Sequence, residues 1–254
     1  MPRKDFYALL TRLFLGYIFL SSGLCKLTGG KFGQLIGPPD LINDLAPYGL
    51  RDFAIFIAFS QVMTGALILS QRYSLLGLVM LMPVNISILA VTISQRWQGT
   101  PYVDAVFVLL NVLVLLYEWN TLKVFILPEG ERENQPPRTN QLFPNQWLPV
   151  ATIGLALIAT VTARYNAPLT VIPATIGFLL IYGNILTNSL LAVLDKAVLA
   201  LSLLAILFVT WADKLLAIHF NPMFAFLVVI CLIGLLLVVS MVQNWWGRKR
   251  LANP

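Results

Sequence analysis

The chain has 254 residues, 58% of them hydrophobic and only 11% charged, with a mean hydropathy of +0.81. Ordinary soluble domains are about 45–50% apolar and about 25% charged, so this composition excludes a water-soluble globule and requires several membrane spans. The net charge of +6 does not indicate nucleic-acid binding, because the cations sit at the ends of apolar runs and build no basic face interleaved with aromatics; they suit topology signals and headgroup contacts instead.

From the N-terminus, Met1-Pro2-Arg3-Lys4 and the apolar run behind it imitate a signal peptide. Arg12 interrupts the would-be apolar core and no small-residue cleavage site follows. The run Ser21-Ser22-Gly23-Leu24-Cys25 imitates a lipoprotein box but has Leu24 where a small residue is needed. An uncleaved first span over residues 6–27 is therefore expected. Residues 28–51 are a loop rich in Gly and Pro. Within it, PDLINDLAPYGL reads as a short interfacial helix with Leu41, Ile42 and Leu45 on one side. Further spans follow at 52–70, 74–95 and 102–119, separated by the turns Gln71-Arg72-Tyr73 and RWQGTPY. Pro83 falls inside the third span, where a membrane helix tolerates it with a kink. LKVFIL extends the fourth span along the interface. Asn85-Ile86-Ser87 is a glycosylation sequon by letter only, because it lies mid-span.

Residues 128–147 are polar, Pro-rich and without apolar period, and read as a linker outside the bilayer. Four more spans are expected at 148–163, 168–187, 194–212 and 223–243, several bracketed by aromatics such as Trp147, Tyr165 and Trp211. The fold class is thus all-α and polytopic. It divides into four spans over 1–127, the linker, and a second set of about four spans over 148–254. With eight spans, the side holding both termini carries ten Lys and Arg and the other side six, leaving out Arg12. That bias places both termini in the cytoplasm.

Catalytic apparatus is sparse. The cysteines are Cys25 and Cys231, with no CxxC. A helix sets Cys25 and Lys26 on different faces, so packing suits Cys25 better than reactivity, and Cys231, among Ile and Leu, reads as core. His219 alone cannot build a bis-histidine haem or a histidine-rich metal site. No catalytic or metal-binding set is assigned.

The informative residues are polar ones inside spans. Asp104, Asn111 and Glu118 recur every seven residues in the fourth span, on one helical face. In the first span Arg12 and Lys26 are fourteen residues apart, as are Asp104 and Glu118, a separation of about 21 Å along a helix. Packed antiparallel, the two spans would pair Arg12 with Glu118 and Lys26 with Asp104, with Phe19 meeting Asn111 midway and Gly16 and Gly23 letting these two backbones approach. Snorkelling of Arg12 and Lys26 to the two surfaces is the competing reading. Gln61, Asn85 and Asn111 fall at mid-depth in their spans. Together with Phe19 they admit two readings: interhelical hydrogen bonds worth about 0.6 kcal/mol each, or a small polar site for a quinone head group, a lipid or another ligand.

RLFLGYIFLSSGLCKL, followed by SQVMTGALILSQRYSLLGLVML, resembles the DoxX-like membrane family through Arg12, Gly16, Ser22-Gly23 and Lys26-Leu27. Gln61, ahead of Gly65, stands where that family often has an acidic residue. The resemblance covers residues 6–120 and implies an antiparallel four-helix bundle in a bacterial inner membrane. It implies a non-catalytic subunit or an assembly or chaperone-like factor, with a soluble or membrane protein partner. A quinone-linked oxidoreductase subunit and a small-solute carrier are the alternatives. No cofactor is called for, although the first of these alternatives would bring quinone. The second half carries no charge stripe and reads as scaffold or partner surface.

Overall fold

The computed structural model describes residues 1–123, 145 and 147–252, with the backbone alone for residue 167 and residues 244–252. The described residues are helical with no strand. In chain order the helices are α1 (Arg3–Leu27), α2 (Leu41–Leu45), α3 (Arg51–Leu69), α4 (Ser74–Ser94), α5 (Thr100–Tyr117), α6 (Trp119–Leu122), α7 (Trp147–Tyr165), α8 (Ala167–Leu186), α9 (Val193–Thr210), α10 (Ala212–Ala217) and α11 (Pro222–Ala252). Eight of them, α1, α3, α4, α5, α7, α8, α9 and α11, are long and apolar enough to cross a membrane. The linker expected over 128–147 lies outside the described residues except for Asn145 and Trp147. The last helix continues past the expected end at 243 to Ala252.

Residues 2–181 form one compact unit, and residues 182–254 with Met1 form another. In the first, α1 is the central element. Its most apolar stretch is 83% buried, against 11% for that of α11. A helix apolar on every side must be surrounded, and α1 touches α3, α5 and α7, while α3 touches α4 and α4 touches α5.

The tightest seam is α1 on α3. A Cβ on Gly65 would lie 2.5 Å from the Leu20 nitrogen and 2.7 Å from the Gly16 oxygen. One on Gly23 would lie 2.5 Å from the Ala58 oxygen. Backbone thus meets backbone where only glycine fits, the usual way for membrane helices to gain packing when lipid offers no hydrophobic drive. This corrects one expectation: Gly16 and Gly23 face the second span, not the fourth. Rings fill the gap to α5 instead, with Phe107 5.9 Å from Phe19 and 6.0 Å from Phe14.

The buried residues of α5 are Asp104, Phe107, Asn111 and Val114, whereas Leu109, Leu113 and Leu116 are all more than half exposed. In water that amphipathicity would be inverted. In lipid the polar face turns inward.

The turns are tight. Gln71, with φ +61°, is buried and donates from Nε2 to the carbonyls of Ile68 and Leu69. The helix α4 runs unbroken through Pro83. The short helix α2 packs Leu41 and Leu45, two of the residues expected on one side, on Ala54, Val91 and Trp97, so its apolar side caps the end of the helix cluster. In the second unit α9 packs on α11. The Asn221 side chain caps α11 by accepting from the Met223 and Phe224 amides, both at 3.1 Å. Cys231 is exposed on α11 rather than buried, which corrects its assignment to the core.

The glycine seam makes a direct prediction. Gly23→Val or Gly65→Val forces backbone apart and should cost at least about 1–3 kcal/mol, the usual penalty for overpacking. Gly154→Ala, with open space around it, should be neutral or slightly stabilising. Thermal unfolding of the detergent-purified variants measures both.

A polar cavity at one end of the first helix and an ion pair at the other

The two ends of α1 use the same charge pattern differently. Near its start, Arg12 Nη2 donates to Glu118 Oε1, and each side chain is only 2% exposed. The guanidinium also lies 5.6 Å from the ring centre of Tyr117, within cation–π range. The Tyr117 hydroxyl donates to Asp5 Oδ1. The start of α1 and the end of α5 are tied here by one ionic and aromatic group.

At the other end Lys26 and Asp104 do not form the direct pair expected from their spacing. Lys26 Nζ donates back along its own helix to the Ser22 hydroxyl at 2.5 Å and to the Ser22 carbonyl at 3.2 Å. Asp104 Oδ2 accepts from the Thr92 hydroxyl of α4 at 3.0 Å. Both are nevertheless buried, at 5% and 6% exposure. The physical reason is a cavity of about 50 Å³ lined by both of them. Each ion takes the nearest hydroxyl, one helical turn away or on the neighbouring helix, instead of spanning the gap.

The cavity has a polar corner and apolar walls. Ser22, Lys26, Gln61, Thr92 and Asp104, with Ser87 and Thr100, are among its polar residues, and Phe19, Ile57, Val91 and Phe107 are among the walls. The loop after α1 closes it through Ile36, Gly37 and Pro38, and α2 through Leu41 and Leu45. Gly37 has φ +127°, and a Cβ there would lie 2.8 Å from Ser22 Oγ and 3.5 Å from Lys26 Nζ. Glycine therefore lets the loop settle directly on the Lys26–Ser22 bond. Gln34 Nε2 fixes the bend by donating to the Gly37 carbonyl at 2.8 Å.

The residues expected at mid-depth separate. Phe19 and Gln61 line the cavity; Asn85 and Asn111 do not. Phe19 meets Phe107 edge-on instead of Asn111. Asn111 Nδ2 points at the Met82 sulfur, 3.5 Å away, and its Oδ1 has no partner among the described residues. Asn85 is fully buried with neither amide atom bonded among the described residues, and Gln61 Oε1 is likewise unpartnered. Burying such groups unmet costs about 1–3 kcal/mol each. Sequence reasoning missed Ser22 as the partner of Lys26 and missed the loop as a cap. The four-residue spacing of Ser22 and Lys26 was a usable signal. The cap's signal was only a Gly-Pro-Pro run, which reads as any turn.

The described residues thus define a multi-pass membrane protein with a small charged cavity at one end of its central helix. Comparison with protein families, with curated proteins and with solved structures finds no match to this chain in any of the three.

The cap yields a prediction. Gly37→Val places a β-branched residue at positive φ, a strain of about 1–3 kcal/mol, and drives its Cβ into Ser22. The loop should lift, and trypsin should cut the purified protein at the exposed Lys31 several-fold faster than in wild type, which mass spectrometry of the fragments would reveal.

Proposed function

We propose that this chain is a DoxX-like integral membrane protein whose first four spans form an antiparallel bundle. It serves as a non-catalytic membrane subunit, or as an assembly or chaperone-like factor, of a membrane-associated complex. The observation that carries this reading is the locked seam of α1 and α3, where three glycines bring backbone against backbone. A carrier must part its helices around a central site, and a seam of this kind favours a fixed scaffold over the small-solute carrier. The family-like residues also each meet a physical need. Gly16 and Gly23 close the seam, Arg12 pairs with Glu118, and Ser22 accepts from Lys26.

The quinone-linked oxidoreductase subunit draws on the same polar cavity. Its volume of about 50 Å³ is a third of the ~150 Å³ that accepts benzene in an engineered core. A whole quinone ring does not fit inside it, so that reading needs the ring to lie across the mouth. The ten-to-six distribution of cations supports a bacterial inner-membrane orientation with Met1, the linker and Pro254 in the cytoplasm.

Native electrophoresis of membranes solubilised in mild detergent tests the subunit reading. The chain should migrate in a complex with a stoichiometric protein partner that quantitative mass spectrometry identifies; migration alone, or with only substoichiometric proteins, contradicts it. Reporter fusions within residues 128–147 and at the C-terminus should both read cytoplasmic. Opposite readings would require an odd number of spans between them.

A further inference from the structure

We propose that the cavity between Lys26 and Asp104 binds a small zwitterionic group, a primary ammonium joined by a short spacer to a phosphate or carboxylate. Three observations on different helices converge. Among the described residues Lys26 directs its donors at Ser22 alone, and an ammonium has three of them. Among the described residues Asp104 accepts one bond, from Thr92, and a carboxylate has about four acceptor positions. Gln61 Oε1 lines the same cavity and has no partner among the described residues. One cavity is thus lined by an ammonium with donor capacity to spare and by a carboxylate and an amide oxygen with acceptor capacity to spare.

Opposite charges buried at the same end of a membrane protein, yet held apart by a cavity, compensate each other less well than a direct pair, and a group carrying both complementary charges between them would recover the difference. A neutral ligand leaves both ions unmatched, and an anion alone is repelled by Asp104. A zwitterion satisfies both: its acid group meets Lys26, and its ammonium N–H groups meet Asp104 and Gln61. A quaternary ammonium has no N–H to give and fits poorly. The size agrees, because about 50 Å³ holds roughly three to five water-sized positions at ~10–15 Å³ each, enough for the ammonium, a two-carbon spacer and the nearest acid oxygen, with the rest of the molecule outside.

Two sources supply this chemistry: the headgroup of an ethanolamine phospholipid, and a free amino acid. The cavity runs from the last turn of α1, at Lys26, inward to Phe19, Gln61 and Phe107, and an opening at that end of the spans would admit either source. The site does not depend on the subunit reading, and the purified full-length chain tests it alone.

The lipid arm uses native mass spectrometry of the protein exchanged into micelles containing either an ethanolamine or a choline phospholipid of identical chains. The solute arm uses calorimetry with L-valine and with phosphoethanolamine in detergent. The proposal expects one equivalent of ethanolamine lipid, or of a free zwitterion, bound at least tenfold more tightly than the choline lipid. Retention of the lipid with no solute binding assigns the lipid source; the reverse assigns the free solute. Lys26→Met, Asp104→Asn and Gln61→Leu should each weaken binding, the first two by tenfold or more. If any variant fails to fold, the ethanolamine-to-choline ratio on wild type, together with the solute titrations, still decides. Equal binding of the two lipids with no solute bound, or no binding in either arm, overturns the proposal. So does binding unchanged in folded Lys26→Met and Asp104→Asn.

Discussion

The contact between α1 and α3 sets the terms for everything else in residues 2–181. Lipid tails are as apolar as Leu and Ile, so helices gain nothing from hiding apolar side chains from them; they gain from close packing and from polar contacts. Gly16, Gly23 and Gly65 turn that rule into a backbone-to-backbone seam. Once the seam closes, α1 is enclosed and its polar residues have no route to lipid or to water along that side. Arg12 and Lys26 must then be met from within.

How they are met differs at the two ends, and the rings of Phe14, Phe19 and Phe107 account for it. These side chains stand between α1 and α5, so the two helices touch without the backbone intimacy of the seam. At the Arg12 end a long guanidinium side chain reaches Glu118 and rests over Tyr117. At the Lys26 end the space past Phe107 is roofed by the loop and α2, and the opposite charges are left to local hydroxyls. A buried pair of the first kind contributes little net stability but is costly to break. The second arrangement is poor as a structural device, and that is why it points to a ligand.

Much of this was legible in the sequence, and the limits were physical. Eight apolar runs of spanning length are visible as eight helices, because length and hydropathy alone decide that a segment can cross a bilayer. The seven-residue recurrence of Asp104, Asn111 and Glu118 correctly marked the inward face of α5, since in lipid polarity itself is the signal of burial. Spacing could bring Arg12 to Glu118 but could not say that Lys26 would turn to Ser22. Periodicity fixes faces, whereas the choice among partners a few ångströms apart depends on which helices the glycines draw together. Gly16 and Gly23 were legible as points of close approach but not as facing α3. The roof was illegible for a different reason: residues 28–50 carry no long period, and only tertiary packing shows that Leu41 and Leu45 point into the cluster.

The central claim is that one end of α1 is closed by an ion pair and the other end holds a small roofed cavity between two ions that do not bond directly. Paired double-mutant cycles on reversible unfolding in mixed micelles test it most directly, with Arg12→Ala and Glu118→Ala in one cycle and Lys26→Ala and Asp104→Ala in the other. In ligand-free protein the account predicts a coupling above about 1 kcal/mol for Arg12 with Glu118, and a coupling less than half as large for Lys26 with Asp104, which face each other across the cavity without a direct bond. Equal couplings at the two ends would contradict it, because Lys26 and Asp104 would then be a second structural pair and the cavity between them would lose its meaning.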